Sequence, residues 1–278
     1  MTVRRLIGGA IYGLSAAIGI LAFIYPFFAP AAPQGAGVYA HSQDAPLLTA
    51  ALVALSVVAL LVELQGRAIS AKTVAMLGVL VAVTSVLRFL EVAFPMPGGF
   101  SPIFAPIIIS GYVFGGRFGY LMGTFTLLAS ALITGGVGPW LPYQMFTAGW
   151  AGLTAGWLKK IPGLKDRGAN HDHSLELGAW ELGFLSFFGF VWGLLYGIIV
   201  NVYFWPFAAG PVSQSWAPGI GLRETLGRYA VFYAVTSLTW DLFRAVGNVL
   251  LILILGVPMA KTLARFRRRF NFQVRSHV

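Results

Sequence analysis

The sequence predicts an all-α integral membrane protein, a bundle of about eight transmembrane helices, and three observations carry the prediction. The 278 residues are 58% hydrophobic and only 10% charged, with a mean hydropathy of +0.78, far from the balance of a water-soluble domain. Apolar segments of about 20 residues recur along the whole length, each long enough at ~1.5 Å per residue to cross a ~30 Å hydrocarbon layer. Basic residues lie between these segments and gather on alternate sides of them.

The first span runs from Leu6 to about Phe28, behind Arg4 and Arg5 and ahead of Pro30 and Pro33. A cleavable signal peptide is the rival reading, because Ala29-Pro30-Ala31 resembles a small-residue cleavage site. An apolar run this long exceeds the ~7–15 residues of a signal core, which favours an uncleaved helix. The second span covers Pro46 to Val62, closed by Glu63 and Arg67, and the third Ala71 to Ala93. After the turn-rich Pro95-Met96-Pro97-Gly98-Gly99 come two close-set spans, about Ile103–Phe114 and Phe118–Ile133, hinged on Gly115-Gly116-Arg117. The fourth is short, and irregular backbone at membrane depth is tolerated only where protein or a water-filled cavity covers it. The connector Gly135-Gly136-Val137-Gly138-Pro139 leads into a sixth span, Leu141 to Leu158, and Lys159 to Glu176 reads as the longest polar loop. The aromatic-rich seventh span covers about Leu177 to Trp205, the eighth roughly Leu226 to Leu255, and a basic tail from Lys261 to Arg275 closes the chain.

Counting Lys and Arg across alternate spans gives an orientation. With the N-terminus inside, the inner side holds Arg4, Arg5, Arg67, Lys72, Arg117, Lys159, Lys160, Lys165, Arg167 and the tail, 15 of the 19 basic residues. The outer side holds Arg223 and Arg228. Both termini and the Lys159–Glu176 loop are therefore expected in the cytoplasm, and the protein in the cell membrane. The formal net charge of +10 reads as this positive-inside bias rather than as a nucleic-acid surface. With no cysteine, disulfides, thiolate metal ligands and a cysteine nucleophile are excluded.

Charges at a helix centre cost on the order of 2.5–3.5 kcal/mol each on insertion scales, so those present need a reason. Arg88 and Glu91 lie three apart in the third span, and Asp241 and Arg244 three apart in the eighth, which puts each pair on one helix face. Asn248 extends the second stripe by a turn. Two readings stay open: internal ion pairs that pack the bundle, or the lining of a polar cavity whose arginines bind carboxylate, phosphate or amide oxygens. Trp140, Tyr143, Gln144, Asn201, Tyr203 and Trp205 fall near the outer ends of their spans, where an interfacial aromatic belt is the ordinary explanation. Gln144 and Asn201 fit a belt less well, since amides in apolar segments seek partners across helices or on a ligand. Trp140 and Tyr143 flanking Pro142 offer flat apolar surfaces with polar handles, as small-molecule pockets do.

Small residues recur every four positions at Ala148, Gly152 and Gly156, and in the third span at Ala71 and Ala75 and again at Gly78 and Ala82. Such stripes let backbones approach closely, within the bundle or against another membrane protein. Enzyme signatures are lacking. His41, His171, His173 and His277 fall in loops or the tail, so no Ser-His or HExxH site can be drawn, and His171-Asp172-His173 reads as solvated loop rather than a metal site. No Walker A motif occurs, so active transport would draw on an ion gradient or a partner. Neither enzyme activity, nor a metal, nor a cofactor is expected.

Three segments carry a resemblance: Gly98-Gly99-Phe100-Ser101-Pro102, Ser130 to Met145 (SALITGGVGPWLPYQM), and Trp240-Asp241-Leu242-Phe243-Arg244-Ala245-Val246-Gly247-Asn248. They resemble substrate-binding S components of energy-coupling factor (ECF) vitamin transporters, and the GPWLPYQM-like segment is most similar to a predicted cobalamin-type branch. The match spans about Ala71 to the C-terminus. It implies a six-helix core over residues 71–278 and leaves residues 1–70, with two spans, as an N-terminal extension. It also implies a protein that binds a vitamin-like small molecule from the outer side. Its partners would be an ECF membrane coupling protein and two cytoplasmic ATPase subunits. Read from the residues themselves, the cargo site is expected at Phe100, Trp140, Tyr143, Gln144 and Asn201, with the intramembrane charges as further candidates. Ala71-Lys72-Thr73-Val74-Ala75 has the form of the family's AxxxA helix-docking motif. Related nickel and cobalt proteins bind metal through a histidine at position two; Thr2 here argues against a metal cargo. A secondary transporter or channel using Arg88/Glu91 and Asp241/Arg244 is the alternative.

Overall fold

The computed structural model describes residues 3–28, 45–65, 71–94, 97–161 and 177–270. Among them the elements are helices, with no strand: α1 (Val3–Ile24), α2 (Ala45–Gln65), α3 (Ala71–Ala93), α4 (Phe104–Phe114), α5 (Gly116–Thr134), α6 (Leu141–Ala155), α7 (Ala179–Val202), α8 (Leu222–Thr236) and α9 (Leu238–Phe270). Five stretches are long and apolar enough to cross a membrane: Gly9–Phe27, α3, α5, α7 and Leu238–Arg267. Pro46–Val58 and α4 are apolar but shorter. This is a multi-pass membrane fold. The short α4 is sheathed by protein, with every residue from Phe104 to Val113 buried, which is the condition for a segment too short to span alone.

Glycine decides which helices come closest. On the α5–α6 seam, a Cβ at Gly152 would fall on the Gly119 carbonyl, one at Gly123 on the Ala148 carbonyl, and one at Gly156 on the Gly116 backbone. The Ala148/Gly152/Gly156 stripe is therefore spent on packing within the bundle. The stripe on α3 is different: Ala71, Ala75, Gly78 and Ala82 are exposed, and a Cβ at Gly78 would meet nothing within 4 Å. At the α5–α6 connector Gly135 takes the left-handed conformation (φ 66°) that ends α5, with the Gly136 N–H closing on the Ala131 carbonyl at 2.9 Å.

The expected eighth span, Leu226 to Leu255, is not one helix. The chain breaks at Ser237 into α8 and α9. Neither proline nor glycine causes the break. Ser237 accepts a hydrogen bond from Asn201 Nδ2 at 2.5 Å, its N–H closes α8 on the Tyr233 carbonyl, and its own carbonyl accepts the first turn of α9 from Asp241. α8 is too polar to be a span, with Arg223, Glu224 and Arg228 in its first two turns and only Phe232 buried. The basic tail begins as helix: Lys261, Arg265 and Arg267 belong to α9, and Arg267 Nη1 donates to the Val113 carbonyl at 2.8 Å.

α1 and α2 pack onto this bundle through α6 and α5. Tyr12 meets Tyr120 edge-on (centroids 5.5 Å apart), Ser15 and Tyr120 share a hydrogen bond between their hydroxyls, and Phe23 meets Tyr143 edge-on at 5.0 Å. Gly19 makes the approach possible, since a Cβ there would collide with the Phe146 and Trp150 rings.

Candidate functional site

α7 and α9 run antiparallel along a seam that repeats every four residues. Gly189 faces Asn248, whose Nδ2 donates to the Gly189 carbonyl at 2.9 Å. Gly193 faces Ala245, Gly197 faces Asp241, and Asn201 is bonded to Ser237. The three glycines let α9 bring Asp241 and Asn248 against the α7 backbone, where they are 2% and 0% exposed. Their spacing of four is visible in the sequence, like that of the stripes on α3 and α6.

Each intramembrane pair closes as its spacing predicts. Arg88 bonds Glu91, and Arg244 bonds Asp241. Folding adds what spacing did not give: the two pairs come together around Tyr196. The Arg244 guanidinium lies 5.0 Å from the Tyr196 ring centroid and acts electrostatically on Glu91; all four charged groups act on Tyr196. Ser101 donates its Oγ proton to Glu91 at 2.8 Å. The Gly98–Ser101 run lies across the start of α9, with Gly98 against Phe243, Gly99 against Trp240, and the Phe100 ring filling the space beside Gly247. Positive φ at Gly98 (67°) and Gly99 (75°) makes that crossing possible. Tyr196 and Ser237 carry no local sequence pattern, and Ser101, though within the Gly98–Pro102 segment, is not singled out by it.

The aromatic candidates form an adjoining wall. Tyr143, fully buried, stacks on Tyr203 with centroids 4.2 Å apart and planes 12° apart, and Phe104 meets Tyr196 edge-on at 4.8 Å. Trp140 Nε1 donates to the Gly136 carbonyl at 3.1 Å, and Gln144 is half-buried one turn further along α6. Arg88, Glu91, Asp241, Arg244, Asn248, Phe100 and Asn201 thus line the α9 side, while Trp140, Tyr143 and Gln144 stand on α6. Tyr203, two residues beyond Asn201, joins the two groups. Nine of the ten sit towards one end of the bundle, near the C-termini of α3 and α7 and the N-termini of α6 and α9, while Asn248 lies deeper, opposite Gly189 in the middle of α7. Two acceptors of these residues, Asp241 Oδ2 and Asn248 Oδ1, are buried with no hydrogen-bond partner among the described residues.

The opposite end is cationic. Lys159 Nζ reaches the Val113 carbonyl at 3.4 Å over the Tyr112 ring, and Arg267 shares that carbonyl, so two cations cap the C-terminal end of α4. Two concavities are described away from the predicted cargo residues. One, of about 380 Å³, lies beside Arg117 and Lys160. The other, about 310 Å³, is an apolar groove between α3 and α5 lined by Leu77, Gly78, Val81 and Leu128. Thr2, His41, Arg67, His171, His173, His277 and the loop beyond Ile161 lie outside the described residues.

A family model described as "ECF transporter, substrate-specific component" matches residues 72–256. No curated protein and no solved structure matches the chain.

Proposed function

Since the chain belongs to the ECF transporter substrate-specific component family, we propose that it captures a vitamin or related micronutrient, cobalamin-like in the first instance, from the outer side of the cell membrane. Uptake would then be driven by an ECF membrane coupling protein and two cytoplasmic ATPase subunits. In this reading residues 71–278 are the capturing core and residues 1–70 an extension. Both termini face the cytoplasm, in keeping with the cationic end formed by Lys159, Lys160 and Arg267 opposite the ion-paired end.

The observation that carries the cargo site is the buried polar cluster at that second end. Arg244 lies over the Tyr196 ring, Ser101 donates to Glu91, and Asp241 Oδ2 and Asn248 Oδ1 lack donors. Buried polar atoms are nearly always paired, so orphan acceptors within and beside the Asp241–Arg244 pair can take a donor from a guest. Tyr143, Tyr203 and Trp140 supply apolar faces, and Gln144 and Asn201 supply amides for polar edges. The test is to purify the chain in detergent and identify what copurifies, then measure cobalamin binding directly. Bound cobalamin supports the reading. A different vitamin keeps the capture role and changes the cargo, and a chain that binds no vitamin at all opposes it.

The alternative, a secondary transporter using the intramembrane charges, draws on the same Arg88/Glu91 and Asp241/Arg244 pairs. It differs in one requirement, transport by the chain alone.

A further inference from the structure

The cavity of about 380 Å³ at the cationic end is walled by three parts of the chain: Gly9 and Tyr12 of α1, the α4–α5 turn from Phe114 to Arg117, and the end of α6 from Leu153 to Lys160. Among the described residues that line it, two are cations and none is a carboxylate. Arg117 lies over the Tyr12 ring, 5.8 Å from its centroid, and contributes a forked donor suited to phosphate oxygens. Lys160 is exposed at the rim beside Trp157, itself 52% exposed. Phe114 and Leu153 give the remaining wall an apolar character. Glycine keeps the space clear: a Cβ at Gly9 or Gly115 would meet nothing within 4 Å, and Gly115, at φ 105°, is in a conformation other residues rarely adopt.

An anion held by an arginine and a lysine, with an indole at the rim and an apolar wall behind, is the environment of a phosphate at a bilayer surface. A free anion would need the cations alone; the apolar wall fits the first carbons of a lipid. We infer that this cavity binds the headgroup phosphate of an anionic phospholipid, at the seam where α1 meets the bundle. The lipid then fastens the N-terminal helix to α4, α5 and α6 through Tyr12, Arg117 and Lys160. The inference does not depend on the cargo site, which lies at the other end.

The experiment follows thermal unfolding of the detergent-purified full chain as phosphatidylglycerol is added, with phosphatidylcholine and inorganic phosphate as parallel arms. Phosphatidylglycerol should raise the midpoint by several degrees, as binding to the folded state requires, and the other two should leave it unchanged. The double substitution Arg117→Gln/Lys160→Gln should remove most of that rise. Gly9→Leu, which fills the cavity and leaves both charges in place, should do the same and serves where the double variant fails to fold. Lys261→Gln/Arg265→Gln, exposed cations away from the cavity, should keep the full rise. The inference is overturned if the parent shows no rise, if the cavity variants rise as the parent does, or if inorganic phosphate alone reproduces the effect.

Discussion

Gly197 of α7 lies so close to Asp241 of α9 that a methyl group on Gly197 would fall on the Asp241 carboxylate. The smallest residue on one helix thereby sets the position of the most buried charge on its neighbour, and through it the Arg244 guanidinium beside Tyr196. Gly197→Ala should force the carboxylate to move and cost ~1–3 kcal/mol, the usual penalty of overpacking a tight seam. Gly78→Ala, at an open position on α3, should leave stability within ~0.5 kcal/mol of the parent. Comparing the unfolding midpoints of the two variants in one detergent checks the contrast, and equal midpoints would count against the seam.

Arg244 neutralises an aspartate whose side chain is 3% exposed. Arg244→Ala strands that charge, and breaking a buried pair costs ~3–5 kcal/mol. Replacing both partners, as Asp241→Leu/Arg244→Leu, should cost less than the single change, because no uncompensated charge remains. On α8, Arg228 bonds Glu224 at 2.5 Å in a pair whose acid is half-exposed, so Glu224→Ala should cost under ~1 kcal/mol. The ranking is read from denaturant or thermal unfolding; a double variant less stable than Arg244→Ala would contradict it.

α3, α5 and α7 were legible because a bilayer demands about 20 apolar residues in a row, the shorter α4 and α6 because glycine- and proline-rich turns bound them, and the expected limits fall within a few residues of all five. The Arg88–Glu91 and Asp241–Arg244 pairs were legible for an equally local reason, a three-residue helical offset. The meeting of those pairs at Tyr196 was not, since it depends on how α3, α7 and α9 pack. Ser237 was hidden because the sequence from Leu226 to Leu255 is apolar enough to read as one span. The interruption falls at Ser237, which accepts a hydrogen bond from Asn201 on another helix. Asn201 was recognised as an amide needing a partner across helices, but its partner could not be named from the sequence.

Trp140 and Gln144 stand one turn apart at the start of α6, the helix that carries Tyr143 of the Tyr143–Tyr203 stack. If they hold cargo, Trp140→Ala and Gln144→Ala should each weaken its binding at least about tenfold, ~1.4 kcal/mol. Asn248→Leu should weaken it too, by removing one of the two orphan acceptors. Binding isotherms on folded variants decide this. Parent-like affinity in Trp140→Ala and Gln144→Ala alike would move the cargo site elsewhere.

Ala71 and Ala75 are exposed on α3 beside the apolar groove it forms with α5, at the end opposite the cargo cluster. A bulky side chain there should block the close approach of a partner helix without touching the cluster. Ala75→Trp should therefore abolish ATP-dependent uptake in cells while the purified variant binds cargo as the parent does. Normal uptake by a variant shown to be folded would rule out this face as the coupling surface.

The dependence of transport on partners tests the central claim most directly. The chain is reconstituted into liposomes alone, and then with an ECF coupling protein and its two ATPases, and uptake of labelled cobalamin is measured with and without ATP. The capture account predicts that the chain alone binds the vitamin without accumulating it, and that uptake occurs only with the partners and ATP present. Accumulation by the chain alone, driven by an ion gradient, would contradict it.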